Sequence, residues 1–171
     1  ILCIGKSSFA DHIKQLEEIF RRFLKAGLKV NTTKCSFRLR EIPYLGYIIS
    51  MDSMKPNHKK IQGIMDLTKQ QTAKEMKSLI RMIQFYRDMW KCRSHILSLL
   101  INASSGKQGK TKIKWTPTMD EAFTQAKNMI SQEVFLTYPD WTSPFYVHTN
   151  TLEKQLGAAI SQNNKPIAFF S

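Results

Sequence analysis

The sequence predicts an α+β fold, and three observations carry that expectation. Apolar residues recur at helical spacing in successive stretches between Ile13 and Ile130. A stretch around residue 40 alternates apolar and polar residues with period two, and short β runs separated by turn residues fill the chain after Val134. Helices and antiparallel strands in that order suit a mixed fold in several pieces, not one uniform bundle.

In order, Ile1–Gly5 reads as a short apolar strand, and Lys6-Ser7-Ser8 as a turn that caps a helix from Asp11. Ile13, Leu16, Phe20, Phe23 and Leu24 form that helix's apolar stripe, with Lys14, Glu17, Glu18, Arg21 and Arg22 opposite. Gly27 stands where a helix ends, because glycine enters the left-handed region without a Cβ penalty. Cys35, Phe37 and Leu39 alternate with Ser36, Arg38 and Arg40 as a half-buried strand would. Pro43 marks a bend, and Tyr44–Ile49 reads as the returning strand. Its Gly46, between Leu45 and Tyr47, signals a bulge or a close backbone approach.

Met51–Pro56 reads as a turn, with Pro56 placed to open a helix carrying Ile61, Ile64 and Met65. Thr72-Ala73-Lys74-Glu75 has the capping-box form. Met76, Leu79, Ile80, Ile83, Tyr86 and Trp90 then follow at helical spacing, and Ile96–Ile101 makes a short third helix. Asn102–Lys114 is rich in Gly, Ser, Gln and Lys and reads as a flexible basic linker. Thr118–Glu121 has a second capping-box form, opening a helix with Met119, Ala122, Phe123, Ala126, Met129 and Ile130 buried. Val134–Leu136, Phe145–Thr149, Gly157–Ser161 and Ile167–Phe170 are short strands, with turns at Pro139-Asp140 and Asn163-Asn164, and suggest an antiparallel meander.

Charge narrows the function. The 171 residues carry a formal charge of +13, and residues 1–115 hold 23 Lys/Arg against 8 Asp/Glu, whereas residues 116–171 hold 3 against 5. A basic segment joined to a nearly neutral one suggests a polyanionic partner, most often nucleic acid. Cys3, Cys35 and Cys92 are odd in number and scattered, which argues against a disulfide framework and for an intracellular reducing compartment. Cys92 and His95 lack a second pair at zinc spacing. No apolar run reaches membrane-spanning length, so no membrane partner is expected.

Three motif clusters carry a family resemblance. Ala26–Asn31, Lys34–Phe37 and Tyr44–Ser50 resemble the polymerase of LTR retroelements of the Ty3/gypsy type. Ser78-Leu79 and Phe85-Tyr86-Arg87 resemble that family's thumb signature, although Arg81 stands where the family has glycine. Trp115–Lys127 resembles its connecting helix, and Tyr138–Asp140, Gly157–Ile160 and Pro166–Ala168 resemble the opening of its RNase H domain. The resemblance covers nearly the whole chain in order. It implies four parts: 1–55, the C-terminal part of the reverse-transcriptase palm with its primer-grip hairpin; 56–102, a thumb-like helical bundle; 103–130, a basic linker and connecting helix; and 131–171, the N-terminal part of an RNase H-like domain.

The resemblance also implies site residues. Tyr44, Leu45, Gly46 and Tyr47 occupy the primer grip, which holds the primer 3′ end, and Lys74, Lys77, Arg81, Arg87, Lys91 and Arg93 are candidates for contact with a nucleic-acid backbone. Each of these cations could equally be the solvated face of an ordinary helix. The polymerase aspartates of the family lie upstream of a strand like Ile1–Gly5, so this chain reads as a fragment expected to expose apolar surface on its first helix. Thr149-Asn150-Thr151 stands where the family's RNase H strand carries its first metal-binding aspartate. Asn150 lacks the charge that paired Mg²⁺ ions need, an amide at a strand end is an ordinary turn residue, and Glu153 is an isolated acid on a turn. His148 reads as structural.

The expectation is therefore a fragment of a retrotransposon RNA-directed DNA polymerase/RNase H that binds primer-template duplex, RNA–DNA or DNA, without catalysis of its own. Mg²⁺ is implied for the intact parent and for no site retained here, and the rest of the Pol polyprotein is the other implied partner. The alternative is a degenerate or co-opted non-catalytic module that binds nucleic acid or protein, which Asn150 and Arg81 favour. Upstream sequence carrying the two aspartates would separate the two.

Overall fold

The computed structural model describes residues 2–3, 8–91, 93–152 and 155–171. Of the strand expected over Ile1–Gly5 only Leu2 and Cys3 are described, and neither lies in a strand; the Lys6-Ser7 turn, the Cys92 thiol and the Glu153 carboxylate lie outside the described residues. The chain divides into two compact units, Ile1–Ile42 and Pro43–Ser171.

In the first unit, α1 (Phe9–Lys25) starts at Ser8, whose side chain accepts the Asp11 amide at 3.3 Å. It ends in a Schellman arrangement: Gly27 sits at φ +66°, its amide bonds Leu24 O, and the Leu28 amide bonds Phe23 O at 2.9 Å. Glu18 bridges Arg21 and Arg22, and hydrogen bonds from Arg22 and then Arg21 hold its carboxyl below the usual range. No residue of α1 is buried, and Leu24 on its apolar stripe is 83% exposed.

The strand expected over Cys35–Leu39 is not formed. Asn31 caps a 3₁₀ turn at Thr32–Lys34, and the chain then runs irregularly, with Arg38 at φ +55° and its guanidinium 5.0 Å from the Phe9 ring centre. Period-two alternation makes a strand only where a neighbour completes the ladder, and no pairing involves these residues.

The hairpin lies later and is tighter than expected. Strands β1 (Ile42–Tyr44) and β2 (Tyr47–Ile49) are joined by a two-residue turn at Leu45-Gly46, so Pro43 belongs to an edge strand and Gly46 to the turn itself. The stretch read as a turn at Met51–Pro56 is largely strand β3 (Ser53–Pro56), and the sheet is completed by β4 (Leu136–Thr137) in the order β1-β2-β3-β4. The strand expected at Val134–Leu136 thus begins at Leu136 and pairs with Met54, not with the meander.

Asn57, not Pro56, opens α2 (His58–Met65), its side chain accepting the Lys59 amide. Helix α3 (Ala73–Phe85) carries the capping box as read, with Glu75 N to Thr72 Oγ1 at 3.3 Å and Thr72 N to Glu75 Oε2 at 3.1 Å. Its stripe Met76, Leu79, Ile80, Ile83 is buried, and Tyr86 and Trp90 continue it. The helix stops five residues before the expected end at Trp90, because a 3₁₀ turn at Arg87–Met89 takes over after Tyr86. Over a single turn, periods of 3.0 and 3.6 leave the same residues inward, so Met89 and Trp90 stay buried.

Helix α4 (Arg93–Ser104) is longer than its apolar core. Helix α5 (Pro117–Ser131) is capped by Thr116 with Pro117 in its first turn, which displaces the capping box expected at Thr118. Four contacts clamp α5 and Trp115, just before it, onto the end of α2 and the segment that follows. Trp115 Nε1 donates to Gln70 O at 2.7 Å, Lys127 Nζ donates to Met65 O and Leu67 O, both at 2.6 Å, and Lys69 pairs with Asp120 at 2.8 Å.

The meander is as expected: β5 (Tyr146–Leu152), β6 (Gln155–Gln162) and β7 (Lys165–Phe170) form an antiparallel three-stranded sheet, with Asn163 and Asn164 both at positive φ in the second turn. Gln162 is buried and satisfied on every side, accepting from Asp140 N and donating to Asp140 O and Ser143 O. One buried cluster runs from Ile64 through α3, α4 and α5 to Leu136 and Phe169, so this unit shares a single core.

Candidate nucleic-acid interface

The tip of the β1–β2 hairpin has an unusual backbone. Leu45 lies at φ +46° and Gly46 at φ +88°, a pairing suited to a turn that follows the sheet twist. Gly46 meets that demand freely, but leucine in the left-handed region costs about 1 kcal/mol. The strained Leu45 side chain is also 72% exposed, and Tyr44 beside it is exposed.

The tip is held rigidly from below. Gly46 O accepts the Tyr86 hydroxyl at 2.8 Å and the Asn57 amide at 3.0 Å. Tyr47 donates its hydroxyl to Phe85 O at 3.1 Å and stacks on the Phe85 ring at 5.5 Å. A Cβ on Gly46 would lie 2.9 Å from Phe85 Cε1, so the close approach expected of this glycine is real. Burial pushes the Tyr47 and Tyr86 phenols above their ordinary pKa, each with a smaller push from a neighbour: Asp88 for Tyr47, and Tyr47 for Tyr86.

The six basic candidates do not form one set. Lys74, Lys77 and Arg81 recur at i, i+3 and i+7 on α3, with Lys74 and Arg81 exposed. Arg81 is solvent-facing, so its place in the family's glycine position does not disturb helix packing. Arg81 and Arg87 line a shallow groove with Gln84 and Phe85, and Arg87 Nε lies 3.5 Å from Asp88. Lys91 turns over the Phe169 ring at 5.3 Å. Arg93 borders the groove, but its guanidinium donates to Arg87 O at 2.5 Å and to Ser171 O at 3.0 Å, tying α4 to β7. Burial, and then the Arg87 charge, lowers its pKa.

Phe85 was visible in the sequence only as part of a motif. It is 53% exposed between the hairpin tip and the arginines. The available signal was its position off the buried stripe, where an apolar residue has no core to enter.

Asn150 lies within β5, paired with Gly157 and followed by two more strand residues, so it is not the strand-end turn amide expected. His148, on the same strand, lies 3.2 Å from Ser161 Oγ. The described residues do not fit a Mg²⁺ pair. Asn150 offers a neutral amide oxygen opposite a glycine, and among the described residues no three His, Cys, Asp or Glu side chains converge.

Comparison with known proteins accounts for this architecture. Residues 115–171 match the RNase H-like domain found in reverse transcriptase. Nearly the full chain aligns with retrovirus-related Pol polyproteins of Drosophila melanogaster: transposon gypsy, 25% identical over 95% of the chain, and transposon 297, 29% identical over 99%. The chain is similar to a stretch of the gypsy-type retroelement Pol polyproteins. It spans 16% of the length of each of those two relatives and 13% of the Transposon Tf2-3 polyprotein of Schizosaccharomyces pombe, to which it is 22% identical. Two solved structures share its fold at 25% identity. The foamy viral protease-reverse transcriptase in complex with RNA/DNA hybrid has a TM-score of 0.86 over 97% of this chain and 23% of its own. The same enzyme in complex with dsDNA has a TM-score of 0.87 over 98% and 35%.

Proposed function

We propose that this Pol segment grips the primer-template duplex during reverse transcription and supplies no chemistry of its own. In this reading residues 1–55 are the end of the palm, 56–102 the thumb, 103–130 the linker and connecting helix, and 131–171 the start of the RNase H-like domain. The carrying observation is the latched hairpin tip. A strained, exposed Leu45 beside Tyr44 and Phe85 presents apolar surface to a sugar or base edge, while Arg81 and Arg87 flank it for phosphates. The rigidity of the latch suits positioning, because a site that orients a terminus must not move with it. The foamy viral enzyme, solved on hybrid and on dsDNA, supports a duplex partner.

Of the six cations, Lys74 and Arg81 are exposed on α3 and, with Lys77 (which also donates to Lys107 O) and Arg87 (which lies beside Asp88), are the candidates to meet a backbone; Arg93 acts inside the protein. Mg²⁺ chemistry belongs to the parent polyprotein. The test is a titration of the purified chain with labelled RNA–DNA hybrid at low and high salt, with Mg²⁺ present. Binding that weakens steeply with salt and leaves the hybrid intact supports the grip. Salt-insensitive or absent binding removes it, and Mg²⁺-dependent cleavage lost in Asn150→Ala overturns the non-catalytic half.

A further inference from the structure

The loop after α4 is fixed to the first turn of α3 by its backbone. The Thr111 and Gly109 carbonyls accept the Ala73 and Lys74 amides at 2.9 and 3.0 Å, and the Ile113 amide donates to Gln71 O at 2.9 Å. Thr72 and Lys112 form a β-bridge, and Ile113 is buried. Helix starts leave amides without intrahelical partners, and here the loop supplies them. A stretch with the composition of a linker is thereby held in place.

Its lysines are held with it. Lys77 Nζ donates to Lys107 O at 2.9 Å, drawing the loop onto the face of α3 that carries Lys74 and Arg81. Lys107, Lys110 and Lys112 are exposed, and among the described residues neither they nor Lys74 and Lys77 join an ion pair. The acid nearest in sequence, Glu75, has its carboxylate on the Gln71 and Thr72 amides. Residues 101–115 contain no Asp or Glu. Uncompensated ammonium groups gathered on a fixed surface create a positive potential that suits a polyanion.

The placement adds direction. The 13 residues of α3 span about 20 Å, with Phe85 and the hairpin tip at one end and the lysine loop at the other. That length corresponds to roughly six phosphate steps along one strand at ~3.4 Å each.

We propose that the 107–112 loop is a second phosphate-contacting track, engaging the duplex backbone several base pairs from the hairpin tip. This rests on the duplex-binding reading above, and its test separates the two. Affinity of the whole chain for an RNA–DNA hybrid of about 20 base pairs is measured across salt, for the parent chain and for K107Q/K110Q/K112Q. Each lost phosphate contact lowers the log–log slope by about 0.9, so a fall of about 2–3 is expected. A salt-dependent parent with an unchanged slope in the variant overturns the loop proposal alone. A parent that does not bind overturns both. The bonds that hold the loop are mostly backbone bonds, which glutamine leaves in place. Acetylation of the unsubstituted chain gives a readout without any substitution: Lys107, Lys110 and Lys112 become protected when hybrid is bound, and unaltered reactivity at all three refutes the contact.

Discussion

The Tyr86 hydroxyl donates to the Gly46 carbonyl at 2.8 Å across forty residues of sequence, and this bond joins the hairpin tip to the point where α3 ends. One residue after Gly46 and one before Tyr86, Tyr47 donates to Phe85 O. The two bonds run in opposite directions, so each element both gives and receives. Tyr86→Phe removes one of the two donors to Gly46 O and leaves the Asn57 amide, so the expected loss is about 1 kcal/mol. Gly46→Ala is worse, about 2 kcal/mol, because it combines a positive φ with a Cβ 2.9 Å from Phe85. Urea unfolding measures both, and a neutral Gly46→Ala would show that the tip is not held as described.

Leu45 separates stability from binding. Asparagine tolerates the left-handed backbone that leucine occupies at φ +46°. Leu45→Asn is therefore expected to stabilise the chain by about 0.5–1 kcal/mol while weakening duplex affinity about tenfold, since the apolar contact is lost. Thermal melts and hybrid titration are read together. If stability and affinity rise together, Leu45 is only a poor turn residue.

What the sequence could disclose followed the range of the interactions involved. Gly27, the Thr72–Glu75 box and the Met76–Trp90 stripe are local patterns, and the structure matches them apart from the 3₁₀ turn after Tyr86. Cys35–Leu39 alternates like a strand without becoming one, because a ladder depends on a partner that periodicity does not report. The Leu45-Gly46 turn is hidden because leucine is an atypical left-handed residue, whereas Pro43 carries the conspicuous bend signal although it belongs to β1. Thr116-Pro117 is a stronger helix start than Thr118, since Pro at the first helical position outweighs the capping-box pattern two residues on. The least legible feature is the division of the basic residues: Arg93 donates to Ser171 O, 78 residues away, a contact that no local pattern reports.

The phenols at the latch predict an alkaline limit. Burial raises the Tyr47 and Tyr86 pKa values above the unfolded 10.0, so between the two values the folded state holds more protons than the unfolded state. Stability from this source is complete below pH 10 and declines as pH rises beyond it. Unfolding free energy is expected to be flat with respect to these groups from pH 7 to 9 and to fall above 10, less steeply in Y47F/Y86F. An equally steep fall in the double variant would place the alkaline sensitivity elsewhere.

Arg93 and Arg87 give the sharpest contrast, because they lie side by side and the proposed function gives them opposite roles. Arg93 donates to Arg87 O and Ser171 O, while Ser94 N lies 3.4 Å from Ser171 Oγ, so the start of α4 holds the end of β7. Removing a charged donor from such a place leaves carbonyls unpaired, and Arg93→Ala is expected to cost about 2 kcal/mol. Amide exchange should quicken across residues 165–171, with the salt slope of hybrid binding unchanged. Arg87→Ala should do the reverse, lowering the slope by about 0.9 with little loss of stability. Measuring exchange and salt slope on both variants decides the matter. A reduced slope in Arg93→Ala with normal exchange in β7 would return Arg93 to the duplex interface.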